Sequence, residues 1–100
     1  FSSTDLGNVT NGGTIDITGS TFDWNTNTSS GLTFTNNGTI TYAGTAITME
    51  QSFTQAGTFN LTGKTITFDG TGTGDDSTIT CNNNLFEGSI VINKTNHNKL

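Results

Sequence analysis

The chain has 100 residues, a formal net charge of −5, three lysines and no arginine. A phosphate-tracking surface needs clustered cations, so nucleic acid is excluded as a partner, and so is an anionic membrane surface. No apolar run approaches the length of a bilayer span, which excludes insertion by a helix.

Only 29% of residues are hydrophobic and 11% are charged, yet 23 are threonine and seven are phenylalanine. Threonine and aromatic residues suit pleated, half-buried surfaces, and the abundant Gly and Asn suit turns, so the composition predicts an all-β chain. The single cysteine, Cys81, has no intrachain disulfide partner. The first residue, Phe1, reads as the start of a processed or excerpted chain.

In chain order, residues 1–12 read as a lead-in or cap. Three copies of one phrase follow: GTIDITGSTFDW (13–24), GTITYAGTAITM (38–49) and GTFNLTGKTITF (57–68). A truncated fourth copy, GSIVINKT, begins at Gly88. Each copy alternates apolar and polar residues on both sides of a glycine bend, which predicts two short strands. The predicted inward residues are Ile15, Ile17, Phe22 and Trp24, then Ile40, Tyr42, Ile47 and Met49. Phe59, Leu61, Ile66 and Phe68 follow in the third copy, and Ile90 and Ile92 open the fourth. A third strand is predicted after each copy, at Leu32–Phe34, Ser52–Phe53 and Ile79–Cys81.

The copies start 25, 19 and 31 residues apart, and most of the variation falls at one place in the phrase. There NTNTSSG, EQS and DGTGTGDDS read as loops of different length. Variable loops on a constant frame predict a parallel β-helix, a β-solenoid of about three to four coils. Its coils run 13–37, 38–56 and 57–87, with a partial coil and tail at 88–100. An antiparallel β-sandwich is the alternative, because about ten short strands also suit one. In the solenoid, Thr14, Thr39, Thr58 and Ser89 form an outward hydroxyl ladder. Gly19, Gly44 and Gly63 form a column of bends suited to positive φ.

The phrases GTFNLTGKTITFDGTG and FEGSIVINKT resemble the repeats of large bacterial surface proteins. These are the filamentous-haemagglutinin and autotransporter-passenger kind, built on right-handed parallel β-helices. The resemblance covers most of residues 12–95. It implies an extracellular, cell-surface role in adhesion or fibre building, and it brings no catalytic residues.

An enzyme acting on polysaccharides would need paired carboxylates or a calcium-bound site with a base. Asp16 and Asp23 face outward in the first copy, but their counterparts in the next are Thr41 and Thr48. No acidic groove crosses the copies, and His97 lies in the tail, so the expectation is a protein that is not an enzyme. The run DGTGTGDD alternates oxygen-bearing residues as calcium loops do, which makes Asp69, Asp75 and Asp76 candidate ligands. No other cofactor is expected. Cys81 aligns with Phe34 as a buried small hydrophobe. Trp24 reads as core, with a sugar-stacking platform as the alternative.

Five N-x-S/T sequons occur, at Asn8, Asn27, Asn37, Asn60 and Asn93; Asn27, in a long loop, is the best glycosylation candidate. Thr-x-Thr phrases at 33–35, 39–41, 65–67 and 78–80 raise an ice-binding reading. The column beside the first hydroxyl ladder, Asp16, Thr41, Asn60 and Val91, is too irregular to support it. The functional expectation is a non-catalytic structural element of a surface protein or filament: a stalk, adhesin segment or fibre subunit. Its partner would be another copy stacked end to end, or further coils of a longer chain. A carbohydrate- or host-binding module using the loops at 25–31 and 69–77 is the second reading.

Overall fold

The computed structural model describes residues 1–3, 7–25, 31–69, 78–81 and 88–93, with the side chain of Ile92 left aside. Eleven strands run through these segments, and no helix is present among them. They are β1 (Val9–Asn11), β2 (Thr14–Ile17), β3 (Phe22–Trp24), β4 (Thr33–Asn36), β5 (Thr39–Tyr42) and β6 (Ala46–Met49). β7 (Ser52–Gln55), β8 (Thr58–Phe59), β9 (Thr65–Phe68), β10 (Ile79–Cys81) and β11 (Ser89–Ile92) complete the set. The segment 1–12 thus supplies a strand, β1, that its sequence did not announce.

The strands form three sheets, in the orders β2-β5-β8, β11-β9-β6-β3 and β1-β4-β7-β10. We call them the first, second and third sheets, after the place of their strands in the phrase. Every pairing between named strands is parallel, which sets aside the antiparallel sandwich. The architecture is all-β with parallel sheets. Up to β10, each strand pairs with the one three places later in the chain. The sequence repeat causes this: identical alternation in successive copies lets each strand bury the same face beside its counterpart.

The register therefore stacks like on like. Phe22, Ile47 and Ile66 lie side by side in the second sheet, as do Trp24, Met49 and Phe68. In the first sheet Ile15 pairs with Ile40, Ile40 with Phe59, and Ile17 with Tyr42. In the third, Val9, Phe34, Phe53 and Ile79 form one column. The predicted inward residues of the three complete copies are buried, except Ile15, which is half-buried against the core; Ile90 of the fourth copy is exposed instead. Aromatic rings meet where the sheets converge, with Trp24 edge-on to Phe34 at 5.7 Å and Phe22 5.6 Å from Phe34. Such ring pairs stabilise by about 0.5–1.5 kcal/mol beyond the area they bury.

The fourth copy departs from its expected place. Ser89 pairs with Thr65 and Ile90 with Ile66, so Ser89–Ile92 takes the place of a second strand of the phrase. Ser89 is not the fourth member of the Thr14–Thr39–Thr58 ladder, and Val91 lies beside Thr67. Ile90 is 42% exposed and Val91 45% exposed, on an edge strand of the second sheet.

Two corners also differ from the expected pattern. Of the three bend glycines only Gly63 has positive φ, at 73°. Gly44 is required for a different reason: a methyl there would run into the phenol of Tyr42. The segment EQS is not an open loop. Glu50 and Gln51 are buried, and Ser52 already belongs to β7. Gln51 Oε1 accepts the backbone N–H of Leu32 at 2.9 Å, so a polar side chain serves as an internal corner brace.

Candidate functional site

The most organised polar group in the structure lies inside it, at the corner between the third sheet and the first. Asn11, Asn36 and Gln55 end β1, β4 and β7 in register and point inward. Asn11 Nδ2 donates to Asn36 Oδ1 at 2.9 Å, and Asn36 Nδ2 donates to Gln55 Oε1 at 3.1 Å. The same amides reach across the corner: Asn11 to the carbonyl of Thr39, Asn36 to that of Thr58, and Gln55 to that of Gly57. A buried amide needs this saturation, because an orphaned donor or acceptor costs about 1–3 kcal/mol.

The corner is tight because backbones stack directly. The N–H groups of Asn37 and Gly38 both donate to the Asn11 carbonyl at 2.9 Å, and those of Ala56 and Gly57 repeat the pattern on Asn36. A side chain at Gly38 would strike the carbonyl oxygen of Gly13, and one at Gly57 would strike that of Gly38. A sequence signal for this existed. Each of the three complete copies is preceded by [Asn/Gln]-x-Gly-Thr: Asn11 to Thr14, Asn36 to Thr39 and Gln55 to Thr58.

The fourth member of this amide column is Cys81, which pairs with Gln55. It is Ile79, not Cys81, that lies in line with Phe53 and Phe34, so the expected alignment of Cys81 with Phe34 is off by two residues. The thiol is half-buried, and burial pushes its pKa above the ordinary value. That disfavours the thiolate and with it nucleophilic chemistry.

The other candidates are scattered. Asp16 stands exposed on β2 in the first sheet, and Asp23 half-buried on β3 in the second, so the two carboxylates do not share a sheet. Of the calcium candidates only Asp69 is described, half-buried, with its N–H donating to the Met49 carbonyl; Asp75 and Asp76 lie outside the described residues. Among the described residues no three His, Cys, Asp or Glu side chains come together. Trp24 is fully buried, its Nε1 donating to the Gly7 carbonyl at 3.3 Å, so it is not a sugar platform.

Asn27 lies outside the described residues, as do His97 and most of the loops at 25–31 and 69–77. Asn8, Asn37, Asn60 and Asn93 are exposed. Two of these side chains already serve the backbone, Asn8 accepting from Thr33 N and Asn60 from Thr62 N.

An open hollow of about 310 Å³ is lined by Asp16, Ile17, Thr18, Thr41, Tyr42 and Ala43. It offers a single carboxylate. The nearby Lys64 ammonium donates to the carbonyls of Tyr42 and Gly44, each at 2.7 Å, and lies 5.2 Å from the Tyr42 ring centre. That cation is committed to the bend at Gly44, and Tyr42 Oη stands 2.8 Å from the carbonyls of both Ser20 and Ala46. The phenol has one proton, so it donates to one of the two at a time. The chemistry here is that of a braced corner.

The chain matches no family model, no curated protein and no solved structure.

Proposed function

We propose that the chain is a stretch of parallel β-helix acting as a non-catalytic structural element of an extracellular surface protein or filament. The kind meant is the right-handed helix of filamentous-haemagglutinin and autotransporter passengers that its repeats resemble. The observation that carries this reading is the pairing, up to β10, of each strand with the one three places on, in register, through three parallel sheets. A chain that winds once per repeat produces that order. The polar effort goes into corner bracing, which suits a stalk.

The partner is a further coil, from a second copy or from the same longer chain. β11 presents Ile90 and Val91, both exposed, and an edge strand with a free ladder recruits another strand unless something covers it. Sedimentation across a wide concentration range, with negative-stain microscopy of the same samples, tests the proposal. The expected result is end-to-end assembly that dissociates and loses β structure on dilution. A compact monomer that stays folded at nanomolar concentration would overturn it.

A further inference from the structure

The outward face of the third sheet is unlike the other two. One of its outward columns is Thr10, Thr35, Thr54 and Thr80, a threonine from every strand, paired neighbour to neighbour. Two residues earlier, Thr33 pairs with Ser52, and the same register continues outward to Asn8 and Thr78. Asn8 Oδ1 accepts the N–H of Thr33, and Ser52 Oγ accepts the N–H of Thr78, which ties this second column together. Three consecutive copies thus present hydroxyl-x-hydroxyl: Thr33 and Thr35 on β4, Ser52 and Thr54 on β7, and Thr80 on β10 with Thr78 just before it.

Neither other sheet keeps this. The first sheet brings Asp16 beside Thr41, and the second places Asp23 beside Thr48 and Val91 beside Thr67. The irregular column found from the sequence lies off this face, with Asp16 and Thr41 in the first sheet and Val91 in the second.

The array has two repeat lengths: about 4.8 Å between strands, and about 6.6 Å between alternate residues along a strand. Threonine is stiff at χ1, so its hydroxyl and methyl are held in place before anything binds, and little side-chain entropy is lost on contact. Among the described residues, these two columns carry no ionisable group, although the chain's net charge is −5. A charged partner therefore finds no counter-charge there, and the matching occupant is neutral and periodic in two directions. A crystalline polysaccharide is also neutral and periodic, but it is gripped by exposed aromatic faces. Trp24, Phe22, Phe34, Phe53 and Phe68 are all buried. The oxygen lattice of ordinary ice repeats at lengths close to both of these spacings, and each of its waters both donates and accepts, as a hydroxyl does.

We propose that the outward face of the third sheet binds ice, with Thr10, Thr35, Thr54 and Thr80 as its central column. The inference needs only the strand pairing and is independent of the surface-stalk reading.

The test freezes the folded 100-residue chain slowly onto seeded ice and measures its share in the solid against a reference protein of similar size. Thermal hysteresis is read on the same sample. Enrichment in ice and a gap between melting and freezing are expected. Thr35→Tyr, with its β circular dichroism unchanged, is expected to lose both, while Thr41→Tyr on the first sheet keeps both. Should Thr35→Tyr fail to fold, Thr10→Tyr on the edge strand carries the same expectation. Distribution of the unsubstituted chain like the reference protein would overturn the proposal. Equal loss in Thr41→Tyr, or retention on crystalline cellulose in place of ice, would do the same.

Discussion

Replacing Asn36 with alanine removes the middle member of the buried amide column. Asn36 is fully buried, accepts from Asn11, and donates to Gln55 Oε1 and the Thr58 carbonyl. Its loss leaves Gln55 Oε1 and Thr58 O short of a donor, while Asn11 Nδ2 keeps its second acceptor, the Thr39 carbonyl. At about 1–3 kcal/mol for each of these two groups orphaned in the interior, the expected destabilisation is about 2–6 kcal/mol. That is a large part of the roughly 5–15 kcal/mol that holds a domain folded, and a melting drop on the order of 20 °C follows. The assay is urea and thermal unfolding by circular dichroism at fixed protein concentration, because the melting of any chain that assembles depends on concentration. The adjacent outward substitution Thr35→Ala is expected to cost within about 0.5 kcal/mol. A double-mutant cycle with Asn11→Ala is expected to show coupling of about 0.5–3 kcal/mol. An Asn36→Ala loss no larger than that of Thr35→Ala would refute the amide column as a stabilising element.

Phe68→Asp places an unpaired carboxylate beside Met49 in a dry column and is expected to abolish the β spectrum, whereas Thr58→Ala on the exposed ladder leaves melting nearly unchanged. Equal losses would mean that the inward and outward faces are misassigned. Lys64→Met deprives the carbonyls of Tyr42 and Gly44 of their shared donor, at an expected cost of about 1–3 kcal/mol in urea unfolding. For Cys81, burial raises the thiol pKa, so less thiolate is present in the folded chain than in the unfolded chain at mildly alkaline pH. Iodoacetamide is therefore expected to alkylate the native chain more slowly than the urea-unfolded chain, with the gap narrowing as pH rises past the raised pKa; a native rate as fast as the unfolded one would contradict this.

The strands and their inward residues were legible because alternation has only one solution once a face is buried. Phe22, Ile47 and Ile66 announce a column by position alone. What the sequence hid lies where that logic gives two equal answers. GSIVI matches a first strand by its Gly-Ser start and a second strand by its alternation, and contact with Thr65–Phe68 decides between them. Cys81 was misplaced because the third strand was read as shorter than it is, stopping at Phe34 and Phe53. The true strands run on to Asn36 and Gln55. Those amides, with Gln51, were missed because a polar side chain reads as surface unless its partner is visible. Here each partner sits 19 or 25 residues away.

The amide column also has a direction. Each N–H points to the oxygen of the next strand, from Asn11 to Asn36 to Gln55, and the series then meets the sulfur of Cys81, a weak acceptor. Chains built of near-identical repeats face a counting error during folding, in which one repeat loops out and its neighbours pair across the gap. The apolar columns would hardly resist it: β4 against β10 would set Phe34 on Ile79 and Thr35 on Thr80, both sound contacts. That pairing would, however, set Asn36 against Cys81 and leave Gln55 out of the column, which would then hold one amide-to-amide hydrogen bond in place of two. The column thus keeps a tally inside a repetitive core: each repeat in its place adds an amide link, and a skipped repeat forfeits one that hydrophobic matching alone does not record.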